Sequence, residues 1–320
     1  MKPFNVFPYD SAFNFMRLRW VSLAVAAAIM LVAIGAMFTN GFNLALDFSG
    51  GTGVELRFAA PVNVDQMRGQ LQKAGYAEAQ VQAFGASNEL LVRLPNKAGR
   101  GHGDVTSNLD ATAAAVARAA SSPGNPAEVR RSAEISPQVG NELFEKGAWA
   151  LMFVVLGFLI YISFRFEWKF AVAAIITTLH DVVVVLGWFA LSGHEFDLTV
   201  LAGVLSVMGY SINDTIVVFD RVRENFRSMR GSSADVLNAS INQTLSRTVI
   251  TSFVAFLTVF ALYLYGGGSL RGMAESQILG IVIGTLSSIF VACPLLLWLG
   301  ASKQDLMPKV RDEAELARRP

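Results

Sequence analysis

The stretch GYSINDTIVVFDR, residues Gly209–Arg221, closes a long apolar run and decides how the chain is interpreted. Asn213 and Asp214 stand side by side in it, where a membrane-spanning helix would meet lipid. The chain is 53% hydrophobic and only 16% charged, whereas soluble globular domains carry about a quarter charged residues. This composition indicates an integral membrane protein.

A spanning helix needs about 20 mostly apolar residues. Six stretches of the sequence meet this requirement, and we predict spans at residues 20–38, 147–164, 170–192, 198–219, 248–265 and 277–300. The first has a long apolar core and a weak cleavage site, so we interpret it as an uncleaved anchor rather than a signal peptide.

The orientation follows from the basic residues in the short connections, which favour the cytoplasmic side. They precede the first span, follow the second and fourth, and recur in the tail, whereas Gly193–Asp197 has none. We therefore predict a multi-pass protein of the cell inner membrane with a cytoplasmic N-terminus (1–19), loop (220–247) and tail (301–320). The long segment 39–146 would lie outside, in the periplasm.

Segment 39–146 has the pattern of an α+β domain. Gly53–Phe58 alternates like a strand, and Val64–Ala74 has helical spacing after Asn63, a suitable N-cap. Two more strands are predicted in 79–85 and 89–95, a glycine-rich loop at 96–104, a helix at Leu109–Ala119 and a strand at Val129–Ile135. The order strand–helix–strand–strand–helix–strand is that of a ferredoxin-like domain.

Asp214 is the most informative polar residue in the spans, because an ionisable group deep in a bilayer usually faces a bundle interior or a wet cavity. At 100° per residue it shares one helical face with small and polar neighbours: Gly203, Ser206, Tyr210 and Asn213. The alternative is that Asp214 lies near the cytoplasmic end and reaches water.

Arg247 precedes the fifth span and shares a face with Thr251 and Thr258. It is either an interface anchor or a charge partner that offsets the desolvation of Asp214. In the second case, protonation of Asp214 would free Arg247 and give a two-state element.

His180 and Asp181 lie near the middle of the third span. They are candidates for a proton relay, and the alternative is a neutral, hydrogen-bonded structural pair.

Polar groups on inward helix faces suggest a conformational change coupled to ion movement. One elementary charge that crosses a membrane potential of 100 mV releases about 2.3 kcal/mol. Six spans with one outer domain also look like half of a twelve-span transporter, so we expect a six-span partner.

Other functions are disfavoured by the sequence. The three histidines lie on different segments, and the glycine-rich loop lacks the GK[ST] ending of a phosphate loop. Net charge is +1, which gives no electrostatic argument for nucleic acid. The single cysteine, Cys293, precludes an intrachain disulfide. We therefore expect no enzyme activity, metal or cofactor, and no nucleic-acid partner.

Four stretches resemble the SecD/SecF family of protein-export membrane proteins, within the resistance–nodulation–division superfamily. They are DFSGGTGVEL, FRFEWKFAVAAIITTLHD, DLTVLAGVLSVMGYSINDTIVVFDRVRENFR and INQTLSRTVITS. The resemblance covers about residues 17–300. The chain departs from relatives that carry threonines after ITS, because Val254 and Ala255 stand there.

The resemblance implies a protein that works with SecD beside the SecYEG channel, with YajC and YidC as further partners, and uses the proton-motive force to move polypeptide. It makes Asp214 the protonation site, with Asn213 beside it, and Arg247 its charge partner. It also makes Asp47, Gly50 and Gly51 the hinge that feeds the outer domain. The competing hypotheses are half of a proton-coupled exporter of drugs or lipids, and an ion-independent scaffold of the translocon.

Overall fold

A computed structural model describes residues 12–77, 79–83, 86–94 and 105–306. Six of its helices are long and apolar enough to cross a membrane, which confirms the predicted fold class. The first residues of the N-terminus, the glycine-rich loop at 96–104 and the tail from 307 onward lie outside the described residues.

Helices make up most of the described chain, and a four-stranded sheet lies between the first and second membrane-spanning helices. The helices are α1 (Arg19–Thr39), α2 (Leu46–Ser49), α3 (Val64–Lys73), α4 (Val105–Ala120), α5 (Pro137–Arg165), α6 (Trp168–Ser192), α7 (Leu198–Ser228), α8 (Ser233–Tyr265), α9 (Gly268–Ser287) and α10 (Cys293–Trp298). The strands are β1 (Asn43–Leu44), β2 (Gly51–Phe58), β3 (Gln80–Ala83), β4 (Glu89–Leu94), β5 (Ala127–Ile135) and β6 (Glu195–Phe196). A π-helical turn, Ser288–Ala292, joins α9 to α10 within the sixth span.

Several spanning helices extend beyond the apolar stretches. Residues 220–247, predicted as a loop, are almost entirely helical, and only 229–232 join α7 to α8. Helix α8 starts early because Ser232 and Asp235 form a reciprocal capping box, which satisfies free amides of the first turn. Hydropathy detects the lipid-facing part of a helix, whereas its ends depend on such caps.

The α+β domain has the predicted order of elements. Its antiparallel sheet runs β3-β4-β2-β5, and the Asn63 side chain accepts hydrogen bonds from the amides of Asp65 and Gln66 at the start of α3. The core joins the sheet to α3 and α4 through Val54, Leu56, Leu71, Val92 and Val116. This is the ferredoxin-like topology.

Glycines allow the spanning helices to approach closely. A Cβ added to Gly280 of α9 would overlap the side chain of Val207 on α7, and one added to Gly187 of α6 would overlap Ala33 on α1. Small residues at such crossings are typical of membrane helix packing.

We expect Gly280→Ala to lower the free energy of unfolding by about 1–3 kcal/mol, the usual cost of overpacking. Thermal unfolding in detergent measures this. Gly157→Ala on α5 is the matched control, because nothing lies within 4 Å of the added Cβ. Equal stability of the two variants would show that the α7–α9 crossing is not tightly packed.

Candidate functional site

The Asp214 carboxyl group lies where α7, α8 and α9 meet. It is 2% exposed, and Ser252 Oγ of α8 lies 3.4 Å from its Oδ2. Thr285 Oγ1 of α9 lies 2.7 Å from Ser252 Oγ. Hydroxyl groups both donate and accept, so this chain of hydroxyls offers partners to an ionised and to a protonated carboxyl group.

The predicted pair between Asp214 and Arg247 is not formed in this chain. The Asp214 carboxylate contacts Ser252 instead, and Arg247 lies exposed on the surface of α8. A helical wheel places a residue at an angle around its own axis, whereas the packing of neighbouring helices decides which angles meet. Asp214 points into the bundle and Arg247 points away from it.

The predicted polar face of α7 is likewise divided. Gly203 and Asp214 are buried, whereas Ser206 and Asn213 are exposed. On the neighbouring helix α8, Arg247, Thr251 and Thr258 are exposed as well. We call these five exposed residues the polar stripe. Polar side chains on a membrane-spanning surface are expensive in contact with lipid.

Asp181 forms a second buried polar centre, which joins α6 to α7 and α9. Its side chain is fully buried. Ser211 donates to Asp181 Oδ2 at 2.5 Å and Ser287 at 2.6 Å, while His180 Nδ1 lies 2.9 Å from Oδ1. His180 Nε2 is buried without a hydrogen-bond partner. The carboxyl group is thus held by neighbours from three elements.

Sequence reasoning missed Ser211, Ser252, Thr285 and Ser287. Their signal is a hydroxyl group in an otherwise apolar run, as in GTLSSIF at residues 284–290. Such hydroxyls often bond only to their own helix, so the sequence does not distinguish those that bind a carboxylate.

The DFSGG turn lies against the start of α7. Asp47 is in the short helix α2, and its Oδ2 accepts a hydrogen bond from the Leu198 amide at 3.2 Å. Gly50 and Gly51 follow with φ of 68° and 127°, a region that favours glycine. Strand β1 also pairs in parallel with β6, just before α7. The turn is therefore bonded to the helix that carries Asp214.

Arg93 on β4 is a further residue that the sequence did not single out. Its side chain is 5% exposed and forms an ion pair with Glu195 on β6. Burial lowers the pKa of Arg93 to about 10, although the carboxylates of Asp197 and Asp47 favour its charged form. Asp197 also caps α7 by accepting from the Val200 amide at 2.7 Å. Arg93 thus fastens the α+β domain to the end of the bundle.

Comparison with known proteins places these features in a family. Residues 115–302 match the family model of the C-terminal part of the protein-export membrane proteins SecD/SecF. Residues 35–62, which include the DFSGG turn, match the SecD/SecF GG motif. The chain belongs to the SecD/SecF family. The resemblance noted from the sequence is therefore confirmed.

Individual relatives within the SecD/SecF family agree. The protein translocase subunit SecF of Pseudomonas aeruginosa is 43% identical over 92% of this chain and 94% of its own length. SecF of Vibrio alginolyticus is 42% identical over 95% of both chains. Both of these relatives are named as SecF subunits.

Solved structures of SecDF share the fold. SecDF of Thermus thermophilus, described as a translocon-associated membrane protein, matches 93% of this chain with a TM-score of 0.80 and 36% identity. SecDF in a super-membrane-facing form matches 99% with a TM-score of 0.66 and 35% identity. This chain spans 40% and 41% of those two SecDF chains.

Proposed function

We propose that this chain, an auxiliary subunit of the Sec protein translocase, acts with SecD to promote polypeptide translocation at the expense of the proton-motive force. One observation supports the coupling above all. Asp214 is buried at the junction of three spanning helices and has hydroxyl groups as its partners. Intramembrane carboxyl groups of this kind are typical of proton pathways.

Asp214 takes up and releases the proton in this proposal. Arg247 acts from the neighbouring helix, at the surface that a partner would cover, and Asn213 lies on the same surface. One charge crossing the membrane gains about 2.3 kcal/mol from each 100 mV, which is enough to shift a two-state equilibrium substantially. In this proposal the proton-motive force supplies the energy, Asp214 couples it to the helix bundle, and the α+β domain performs the work on the polypeptide.

SecD is the partner that the polar stripe requires. The stripe stays in contact with lipid unless another helical bundle covers it, and the SecDF chains contain much more than the part matched here. We infer that a SecD-type six-span protein packs on α7 and α8. The SecYEG channel, YajC and YidC would be further partners, and the role of the chain would be non-enzymatic.

The proposed topology places both termini in the cytoplasm and the α+β domain in the periplasm, where it would contact the emerging polypeptide. The turn at Asp47, Gly50 and Gly51 would be the hinge between the two parts. Its bond to the start of α7 supports this role, since a movement of α7 is carried directly to the domain.

The test is reconstitution of the chain with SecD and the SecYEG channel in proteoliposomes. We expect translocation to increase when a proton gradient is imposed and to fall to the basal rate when an ionophore collapses it. Stimulation by a sodium gradient alone would identify sodium, not the proton, as the coupling ion. Equal translocation with and without either gradient would favour a scaffold, and drug or lipid export without the channel would favour an exporter.

A further inference from the structure

The last turn of α9 contacts both buried carboxyl groups. Thr285 is bonded to Ser252, the partner of Asp214, and two residues later Ser287 donates to Asp181. Gly284 lets this turn approach Ser211 of α7, because an added Cβ there would lie 3.2 Å from the Ser211 Cβ and 3.7 Å from Asp181 Oδ2. One helical turn thus lies between the Asp214 site and the Asp181 centre.

The hydroxyl chain beside Asp214 has two self-consistent arrangements, since each hydroxyl group donates one hydrogen bond. With Asp214 ionised, Ser252 donates to the carboxylate and Thr285 donates to Ser252. With Asp214 protonated, the acid donates to Ser252, Ser252 donates to Thr285, and Thr285 donates to the Ile281 carbonyl oxygen, 2.6 Å away. The proton on Asp214 therefore determines which bond the α9 turn makes.

The backbone that follows this turn of α9 departs from regular α-helical geometry. The π-helical turn starts at Ser288, and π turns interrupt the regular hydrogen bonds of a helix, often at functional sites. The Cys293 thiol lies 3.5 Å from the Ser288 carbonyl oxygen and contributes a weak hydrogen bond there. A shift of the turn would alter the bond from Ser287 to Asp181.

We propose that residues 284–288 of the sixth span couple Asp181 to Asp214, so that the hydrogen bonds at one carboxyl group depend on the proton at the other. Ser287 and Asp181 are then positioning residues for the proton site. His180 is the third member of the Asp181 centre, with its Nδ1 2.9 Å from Asp181 Oδ1 and its buried Nε2 without a hydrogen-bond partner. This inference rests on the proposed function, because it assumes that Asp214 exchanges a proton.

The titratable groups around the coupled pair are few. They are His180 on α6, Tyr210 on α7, Arg247 on α8 and Cys293 after the π turn, while residues 20–39 of α1 carry none. Arg247 points away from the bundle, and Cys293 bonds only to backbone among the described contacts. Hydroxyl groups, not charges, therefore connect Asp181 to Asp214.

The experiment measures the protonation of Asp214 in the reconstituted complex with SecD. Infrared difference spectra follow its carboxyl band, which is assigned by its disappearance in Asp214→Asn. We expect Ser287→Ala to move the midpoint of this titration by about one pH unit, a tenfold change in proton affinity that is typical of coupled sites. Asp181→Asn is expected to move it as well, and Ser287→Thr to restore the original midpoint.

Ser276→Ala is the matched control, because Ser276 is also fully buried in α9 but, within the described part of the chain, its hydroxyl group bonds only to the Met273 carbonyl oxygen. A midpoint that is the same in wild type, Ser287→Ala and Asp181→Asn would overturn the coupling and leave the proposed function intact. If the band of Asp214 does not titrate even in the wild-type complex, the proposed function fails and the coupling fails with it. Asp181→Asn decides the matter if Ser287→Ala does not assemble.

Discussion

Asp214→Asn abolishes the stimulation of translocation by a proton gradient, while the complex with SecD still assembles. Asparagine has nearly the shape of aspartate, and its amide oxygen still accepts the hydrogen bond from Ser252. It has no proton to exchange near neutral pH, so the energy of about 2.3 kcal/mol per charge and 100 mV is no longer available. Translocation in proteoliposomes is expected to stay at the rate measured with an ionophore.

Asp220→Asn is the control for this experiment. Asp220 lies on the same helix six residues later, but it is 43% exposed and pairs with Arg165 at 2.9 Å. Its loss removes a surface ion pair worth roughly 0–1 kcal/mol, so gradient-dependent translocation is expected to persist. Full stimulation of the Asp214→Asn complex would exclude Asp214 as the coupling site.

Arg93→Met releases the α+β domain from the bundle. The substitution keeps much of the side-chain volume but leaves Glu195 without its buried partner and removes the positive charge that Asp197 and Asp47 favour. Removing one partner of a buried ion pair costs about 3–5 kcal/mol of stability. We expect docking of the domain to be weakened by about 3 kcal/mol, the lower end of that range, because Glu195 keeps some contact with water. Hydrogen exchange reports the release, since the Ala45 amide bonds to the Phe196 carbonyl oxygen across the β1–β6 junction.

Two further variants separate docking from general loss of stability. Arg130→Met removes an exposed arginine that pairs with Glu89 on the same sheet, and it is expected to leave exchange at Ala45 unchanged. Glu195→Gln combined with Arg93→Met is expected to restore part of the protection, because no unpaired carboxylate then remains at position 195. If Arg93→Met exchanges no faster than Arg130→Met, the Arg93–Glu195 pair does not hold the domain against the bundle.

The features that were predictable from the sequence are those that depend on neighbours along the chain. Apolar runs of sufficient length marked the six spans, and alternation with suitable caps gave the order of elements in the α+β domain. The DFSGG and SINDTIVVFDR motifs indicated the family. Asp214 was recognised as unusual because a carboxylate in an apolar run is costly wherever the helix is placed.

The partners of the polar residues depended on packing between distant segments. Asp214 and Arg247 lie on adjacent helices, yet their side chains point to different surfaces, and the hydroxyl groups of Ser252 and Thr285 occupy the place expected for the arginine. Asp181 likewise meets Ser211 and Ser287, which are 30 and 106 residues away. Arg93 was unremarkable as one arginine in a strand.

The sequence by itself determined that this is a six-span membrane protein with a ferredoxin-like domain and a carboxyl group buried in its fourth span. Hydropathy and periodicity are local properties, and they are sufficient for these conclusions. Only the tertiary structure decided which groups surround that carboxyl and how the domain is fastened to the helix that bears it. The reason is physical: a hydrogen bond requires a donor and an acceptor in direct contact, and between distant segments it is helix packing, not sequence spacing, that brings them together.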